Sequence, residues 1–187
     1  MSELAVIDAN IFVWAVKKQA TAGQEHMIGK AEALLRYCDD NGIKLLIPAP
    51  VIVEVMARVT DENDRKKFLD IIYKRFRVAA LDDISAMHAG EMWATKPNWK
   101  ETHSDITVGA KNSFKFDMLV LGIAKQHKVS AVYTNDKQMI SIAKAHGLNA
   151  IDIETMSFPG KMISLFDQID EQEKGSNEVE EDEKTGE

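Results

Sequence analysis

Short apolar runs alternate along the chain with longer segments of helical periodicity. A short apolar run bounded by polar or turn-forming residues predicts a buried strand. Side chains that are apolar at every third or fourth position predict a helix with one buried face. The predicted strands are residues 4–8, 44–48, 77–81, 131–134 and 150–153.

Helices are predicted between these strands. The segment 24–40 has a series of apolar or small side chains at helical spacing, and Gly42 suits the exit from that helix. Pro50 fits the first turn of the next helix, which carries Glu54, and Asp61 fits the cap of a further helix. The later predicted helices are 84–93, capped by Asp83, then 116–127, and 137–146, closed by Gly147.

Strands that alternate with helices predict an α/β protein with a parallel sheet and helices on both of its faces. The 187 residues suit one domain, which we place at 1–166. The segment 167–187 has ten acidic residues, two lysines and no aromatic residue. Such a segment buries too little apolar surface to offset the entropy of ordering, so we expect a disordered acidic tail.

Composition and cysteine usage narrow the class of protein. Hydrophobic residues make up 45% and charged residues 28%, which is typical of a soluble globular domain. No apolar run approaches the roughly 20 residues of a membrane-spanning helix, and the first residues lack the pattern of a secretory signal. The single cysteine, Cys38, excludes an internal disulfide and a multi-cysteine zinc site. We therefore expect a cytoplasmic protein without a membrane partner.

The net charge of −7 comes from the tail. Removing the ten acids and two lysines of 167–187 leaves 20 acidic and 21 basic residues in the body, or about +1. The overall acidity therefore does not exclude a nucleic-acid partner.

A long polar stretch, 96–115, is predicted to be a functional loop. Its lysines Lys96, Lys100, Lys111 and Lys115 are candidates for contacts with nucleic-acid phosphates. A solvated loop is the alternative, and the spacing of the lysines does not decide between the two.

Four acidic residues lie where a parallel sheet has its reactive crevice, beyond the carboxyl ends of the strands. Asp8 ends the first strand, and Asp136 follows the strand 131–134. Asp117 stands at the start of the predicted helix before that strand, and Glu54 interrupts an apolar helix. Converging carboxylates need cations, and Mg2+ and Mn2+ prefer such oxygen ligands. The pattern therefore indicates a divalent-metal site suited to phosphate chemistry.

Each acid also has a purely structural interpretation. Asp117 and Asp136 are suited to cap helices. Asp8 is suited to a turn, and Glu54 can pair with Arg58 one helical turn later. Capping does not account for Asp8 and Glu54 together, which favours the metal site.

Four short strings resemble the acidic signatures of PIN-domain nucleases, in the same order and in the same strand or helix context. They are VIDAN at 6–10, VEV at 53–55, KFD at 115–117 and VYTND at 132–136. The resemblance extends over about residues 4–155. It implies a three-layer α/β/α sandwich and an Mg2+- or Mn2+-dependent ribonuclease of the VapC-like kind.

The resemblance also implies roles for individual residues. The catalytic and metal-binding quartet would be Asp8, Glu54, Asp117 and Asp136. Asn10 and Thr134 would hold the carboxylates by hydrogen bonds. The expected reaction is hydrolysis of an RNA phosphodiester by a metal-activated water, with in-line displacement of the 3′ oxygen.

Many compact members of the family are toxins of VapBC-type pairs that a small antitoxin neutralises, and PIN domains are frequently dimers. The resemblance therefore implies an RNA substrate, and it allows an antitoxin partner and a homodimer. The long segment 95–115 and the acidic tail depart from the compact toxins and weaken the assignment to that subgroup.

Two rival functions stay open. One is a PIN-like module that binds RNA or protein without cutting, although such degenerate members usually lose one or more of the acids that this chain retains. The other is a haloacid-dehalogenase-like phosphatase, but Asn10 stands where those enzymes have a second acid. The chain has no HExxH zinc motif and no glycine-rich nucleotide loop.

Overall fold

The structure, a computed structural model, describes residues 3–95 and 108–158, and of residues 108–114 it describes the backbone only. The strands are β1 (Leu4–Ile7), β2 (Lys44–Pro48), β3 (Arg77–Ala79), β4 (Ala131–Thr134) and β5 (Ala150–Asp152). The α-helices are α1 (Ala9–Phe12), α2 (His26–Asp40), α3 (Ala49–Ala57), α4 (Glu62–Arg75), α5 (Asp83–Ala94), α6 (Val108–Gln126) and α7 (Lys137–Ala145). A π-helical turn, Val13–Lys17, continues α1.

The described strands form one parallel sheet in the order β3-β2-β1-β4-β5. β1 lies at the centre, where Val6 is opposite Leu46 on one side and Val132 on the other. The three central strands are almost fully buried, as expected for a parallel sheet that helices cover on both faces. The prediction of an α/β fold with three layers is confirmed.

Aromatic packing fixes the chain directly after β1. Phe12, the last residue of α1, is fully buried, and its ring packs against Phe68 and Phe76 with centroid distances of 6.5 and 5.9 Å. Large buried rings of this kind contribute strongly to core stability. Because α1 begins next to Asp8, this packing also fixes the residue that follows β1.

A close contact between α5 and α6 orients the helix that carries Asp117. A Cβ atom at Gly122 of α6 would lie 2.3 Å from the carbonyl oxygen of Ser85 and 2.9 Å from the Cβ of Ala89. No residue with a side chain fits at this distance unless the two helices separate. The approach of α6 to α5 therefore depends on glycine at this position.

The predicted strands and the helices α2 and α7 begin and end within two residues of the observed positions. Pro50 lies in the first turn of α3 and Asp61 caps α4, as predicted. Two other predictions were wrong. α6 begins at Val108, so the 96–115 stretch is helical from there onward and not a loop, and the helix predicted at 116–127 starts earlier. Asp82, not Asp83, caps α5, because its carboxylate accepts the 2.9 Å hydrogen bond from the Ser85 backbone N–H.

Some predictions fall outside the described residues. They concern residues 96–107 of the predicted loop, the domain end at 166 and the tail 167–187. In the ranges 3–95 and 108–158, no helix combines the length and the apolar character needed to cross a membrane.

Candidate functional site

Asp8 follows β1 and begins α1 as its N-cap. Its Oδ1 accepts hydrogen bonds from the backbone N–H groups of Asn10, at 2.6 Å, and Ile11, at 3.3 Å. Its Oδ2 accepts a hydrogen bond from the hydroxyl of Thr134. Asp8 is only 8% exposed, so three donors hold a buried carboxylate in one orientation.

Thr134, the last residue of β4, links two of the acids. Its buried hydroxyl donates to Asp8 and accepts a 3.0 Å hydrogen bond from the backbone N–H of Asp136. The strands β1 and β4 are neighbours, so their carboxyl ends lie side by side. Asn10 lines the same cleft, and the group that it contributes to Asp8 is its backbone N–H.

Asp136 both caps α7 and lines the cleft. Its Oδ1 accepts hydrogen bonds from the backbone N–H groups of Gln138, at 2.7 Å, and Met139, at 2.9 Å. The capping interpretation therefore holds for Asp136. Its other oxygen, Oδ2, accepts no hydrogen bond from the described part of the chain, and capping does not use it.

Asp117 and Glu54 reach the cleft from helices. Asp117 lies in the middle of α6, so the prediction that it stands at the start of a helix was wrong, and it cannot be a cap. Glu54 lies on α3, close to the buried Val51 and Val55, and is itself partly buried. Among the residues whose side chains the structure describes, none donates a hydrogen bond to either carboxylate.

The four carboxylates line one cleft beyond the carboxyl ends of β1 and β4. The cleft has a volume of about 80 Å³. The described lining residues are Asp8, Ala9, Asn10, Val51, Glu54, Arg58, Asp117, Val120, Asp136 and Met139.

The charges of the four acids act on one another. The pKa of Asp117 is raised to about 8, mainly by burial. The negative charges of Asp136, Asp8 and Glu54 add to this rise, in that order. Burial and the charge of Asp8 raise the pKa of Glu54, while Arg58 lowers it. The four groups are thus close enough to repel one another, and without cations Asp117 is largely protonated at pH 7.

The donor set fits a hard divalent cation, because four carboxylates offer only oxygen ligands and a cation offsets their repulsion. Among the residues that the structure describes, no three His, Cys, Asp or Glu side chains already surround one point at metal-binding spacing. Repulsion between carboxylates favours such a spread. We therefore expect the side chains to close around an ion rather than to form a finished cage in its absence.

The raised pKa of Asp117 predicts how stability depends on pH in the presence of a chelator. Its folded-state pKa of about 8 exceeds the unfolded value of about 3.9. Between these values the folded protein holds a proton that the unfolded chain releases, so the free energy of unfolding falls as the pH rises from about 4 to about 8. Urea unfolding at pH 5 and pH 8.5 measures this fall.

The Asp117→Asn variant tests the cause of that pH dependence. It removes the titrating group, so its stability should change less between the two pH values, and it should be more stable than the wild type at pH 8.5. Asp61→Asn, at the exposed N-cap of α4, is the matched control and should keep the wild-type difference. Equal pH dependence in wild type and Asp117→Asn would show that Asp117 does not carry the effect.

Among the side chains that the structure describes, none of the predicted substrate-binding lysines lines the cleft. Lys96 and Lys100 lie outside the described residues, and the side chain of Lys111, on α6, is also undescribed. Lys115 is exposed on α6 and does not line the cleft. Among the described lining residues, the positively charged one is Arg58, which the sequence suggested only as a partner for Glu54.

Comparison with known families identifies the class of protein. The model of the PIN domain family matches residues 5–145, which is most of the chain. The chain therefore belongs to the PIN domain family, whose members are generally nucleases. This assignment agrees with the resemblance that the four acidic strings carry. Among curated proteins, none matches the chain significantly.

Solved structures share the fold. A chain of VapBC2 from Rickettsia felis, bound to a promoter DNA fragment, is 17% identical, has a TM-score of 0.53 and covers 80% of this chain and 98% of its own. VapBC-1 from nontypeable Haemophilus influenzae is 11% identical, with a TM-score of 0.54 and coverage of 81% and 99%. DNA-bound VapBC from Salmonella typhimurium is 16% identical, with a TM-score of 0.53 and coverage of 82% and 99%. At these low sequence identities, the structural similarity shows a shared fold and does not by itself show a shared function.

Proposed function

We propose that this protein is a metal-dependent endoribonuclease that hydrolyses RNA phosphodiester bonds with Mg2+ or Mn2+. The observation that carries the proposal is the convergence of four carboxylates in one cleft of a PIN domain. Helix capping accounts for the positions of Asp8 and Asp136, but it does not account for Glu54 and Asp117. Two acids held on different helices beside two strand-end acids are suited to hold cations.

Asp8, Glu54, Asp117 and Asp136 would hold the ion or ions. A bound divalent cation lowers the pKa of water and stabilises the charge on the leaving oxygen. The chain itself holds the carboxylate of Asp8 in one orientation, because the backbone N–H groups of α1 and the hydroxyl of Thr134 donate hydrogen bonds to it. Glu54 and Asp117 would add carboxylate oxygens from two helices, α3 and α6.

RNA is proposed as the substrate because most PIN domains act on RNA, as the resemblance of the acidic strings implies. The structural neighbours belong to VapBC complexes, so the proposal includes an antitoxin-type protein partner. A homodimer and a cytoplasmic location are further expectations of the same proposal.

Cleavage of a panel of single-stranded and hairpin RNAs tests the function. We expect cleavage with Mn2+ or Mg2+ and none after chelation with EDTA, because without a cation nothing in the cleft lowers the pKa of the attacking water or offsets the charge on the leaving oxygen. Matched single-stranded DNAs measure the preference for RNA. Activity that persists in EDTA, or preferential cleavage of DNA, would contradict the proposal.

A second candidate function is RNA binding without cleavage. The observation that favours it is the separation of the candidate metal-binding side chains, because no three of the described ones are arranged around one point at metal-binding spacing. Equal RNA binding with and without Mn2+, and intact RNA after prolonged incubation, would support this candidate. The phosphatase alternative loses its basis, because the family assignment is to PIN domains.

A further inference from the structure

The charge at the mouth of the cleft is unbalanced. Of the described residues that line the cleft, four carry carboxylates and one, Arg58, carries a positive charge. With all four carboxylates ionised, these charges sum to −3. A phosphodiester strand is a polyanion and is repelled by such a cleft unless cations and positive side chains meet its phosphates.

Arg58 is placed at the end of α3, one helical turn after Glu54. Its backbone N–H donates to the carbonyl oxygen of Val55 at 3.2 Å, which ties the main chain to the helix end. The residue itself is exposed, and it lines the cleft together with Glu54. The backbone is therefore fixed, while the guanidinium is accessible to a ligand outside the protein.

Arg58 lies near the acidic residues of the cleft, but it forms no ion pair with any of them in the described part of the chain. Its charge acts on Glu54, yet within the described ranges no carboxylate lies within ion-pair distance of its guanidinium. Two neighbouring arginines differ in this respect. Arg65 donates to the carbonyl oxygen of Val59 at 2.8 Å, and Arg75 forms a 3.7 Å ion pair with Asp39.

We propose that Arg58 binds a phosphate group of the nucleic-acid strand at the mouth of the carboxylate cleft and so positions that strand over the site. This inference rests on the proposed function. The planar guanidinium donates two parallel hydrogen bonds to phosphate oxygens, a geometry that an ammonium group does not offer. Arg58 also provides attraction at a site where the other charged side chains among the described lining residues are all acidic.

The proposal predicts opposite effects on two ligands. Arg58 attracts an RNA phosphate, but its charge opposes the entry of a divalent cation into the same cleft. Loss of the charge should therefore weaken RNA binding and leave Mn2+ binding unchanged or tighter. A residue that only maintained the shape of the cleft would weaken both when replaced.

The experiment measures binding of a short, labelled single-stranded RNA of mixed sequence by fluorescence anisotropy. The Asp136→Asn background slows turnover, and a gel checks that the RNA stays intact during the measurement. In this background Arg58→Gln should weaken RNA binding by about tenfold, the value for loss of a charged hydrogen bond. The slope of log affinity against log salt should also fall by about 0.7, as expected for one phosphate contact. Arg58→Lys should recover part of the affinity.

Arg77→Gln is the matched control. Arg77 is exposed and begins β3, so it lies at the amino ends of the strands, whereas the cleft lies beyond their carboxyl ends. It should leave both the affinity and the salt slope unchanged. Mn2+ affinity of Arg58→Gln, measured by calorimetry in the otherwise wild-type chain, supplies the second readout. RNA affinity equal to that of the background, or a parallel loss of RNA and Mn2+ binding, would overturn the proposal.

The two proposals fail in different ways. If the wild type cleaves RNA but Arg58→Gln binds RNA unchanged, the role of Arg58 is refuted and the nuclease function stands. If the wild type cuts no RNA with any divalent ion while Arg58→Gln still loses RNA affinity, the nuclease function is refuted and the contact of Arg58 stands.

Discussion

Asp136→Asn is expected to lower the rate of RNA cleavage by about a hundredfold or more without unfolding the protein. Asparagine caps helices as well as aspartate does, and its side-chain oxygen can keep the hydrogen bonds from Gln138 and Met139. The substitution therefore removes a charge from the cleft and little else. Loss of a group that merely orients a metal ligand already costs 10- to 100-fold, so loss of a ligand should cost at least about the upper value.

Initial rates with Mn2+ and urea unfolding of the same preparations measure the two effects. Asp8→Asn should behave in the same way, since it also occupies an N-cap. Asp61→Asn is the control, because Asp61 caps α4 with a 3.0 Å hydrogen bond but does not line the cleft. Its rate should equal that of the wild type. Unfolding of both cleft variants would show that these acids are needed for the fold, and unchanged rates would remove them from the site.

Gly122→Ala is expected to have the largest effect on stability. The new methyl group would lie 2.3 Å from the carbonyl oxygen of Ser85, so α5 and α6 must move apart. Overpacking of this kind costs about 1–3 kcal/mol, and the contact here is with backbone, which yields less than a side chain. Because α6 carries Asp117, the same movement should also weaken binding of Mn2+.

Gly90→Ala is the matched control for Gly122→Ala. Gly90 is an exposed residue of α5, and a Cβ atom there would meet nothing within 4 Å. Alanine is the better helix former, so this substitution should stabilise the protein by roughly 0.5–1 kcal/mol. Urea unfolding of both variants gives the comparison. A Gly122→Ala protein as stable as wild type would contradict the close approach of the two helices.

The sheet could be predicted because each of its strands is a short apolar run with clear ends. The strand ends then placed Asp8 and Asp136 beside each other, since parallel strands share one carboxyl edge. Pro50 and Asp61 marked helix starts for the reasons that make proline and aspartate favourable there. These features depend on residues that are close together in the sequence, so a single sequence is enough to predict them.

The start of α6 could not be predicted in the same way. The polar residues before Phe116 show no apolar period, so the sequence predicts a loop where α6 is helical from Val108 onward, and it places Asp117 at a helix start. What supports the helix there is its packing against α5, which depends on Gly122 and on residues far away in the sequence. Arg58 was overlooked for a related reason, since only the tertiary structure shows which face of α3 lines the cleft.

The most direct test of the central claim is a crystal structure with Mn2+, in which the anomalous signal locates the ion. We predict an ion in the cleft with carboxylate oxygens at about 2.1 Å, the distance typical of small hard divalent cations. At least two of Asp8, Glu54, Asp117 and Asp136 should bind it. Saturating Mn2+ that occupies another part of the molecule, with the four carboxylates free of metal, would contradict the account.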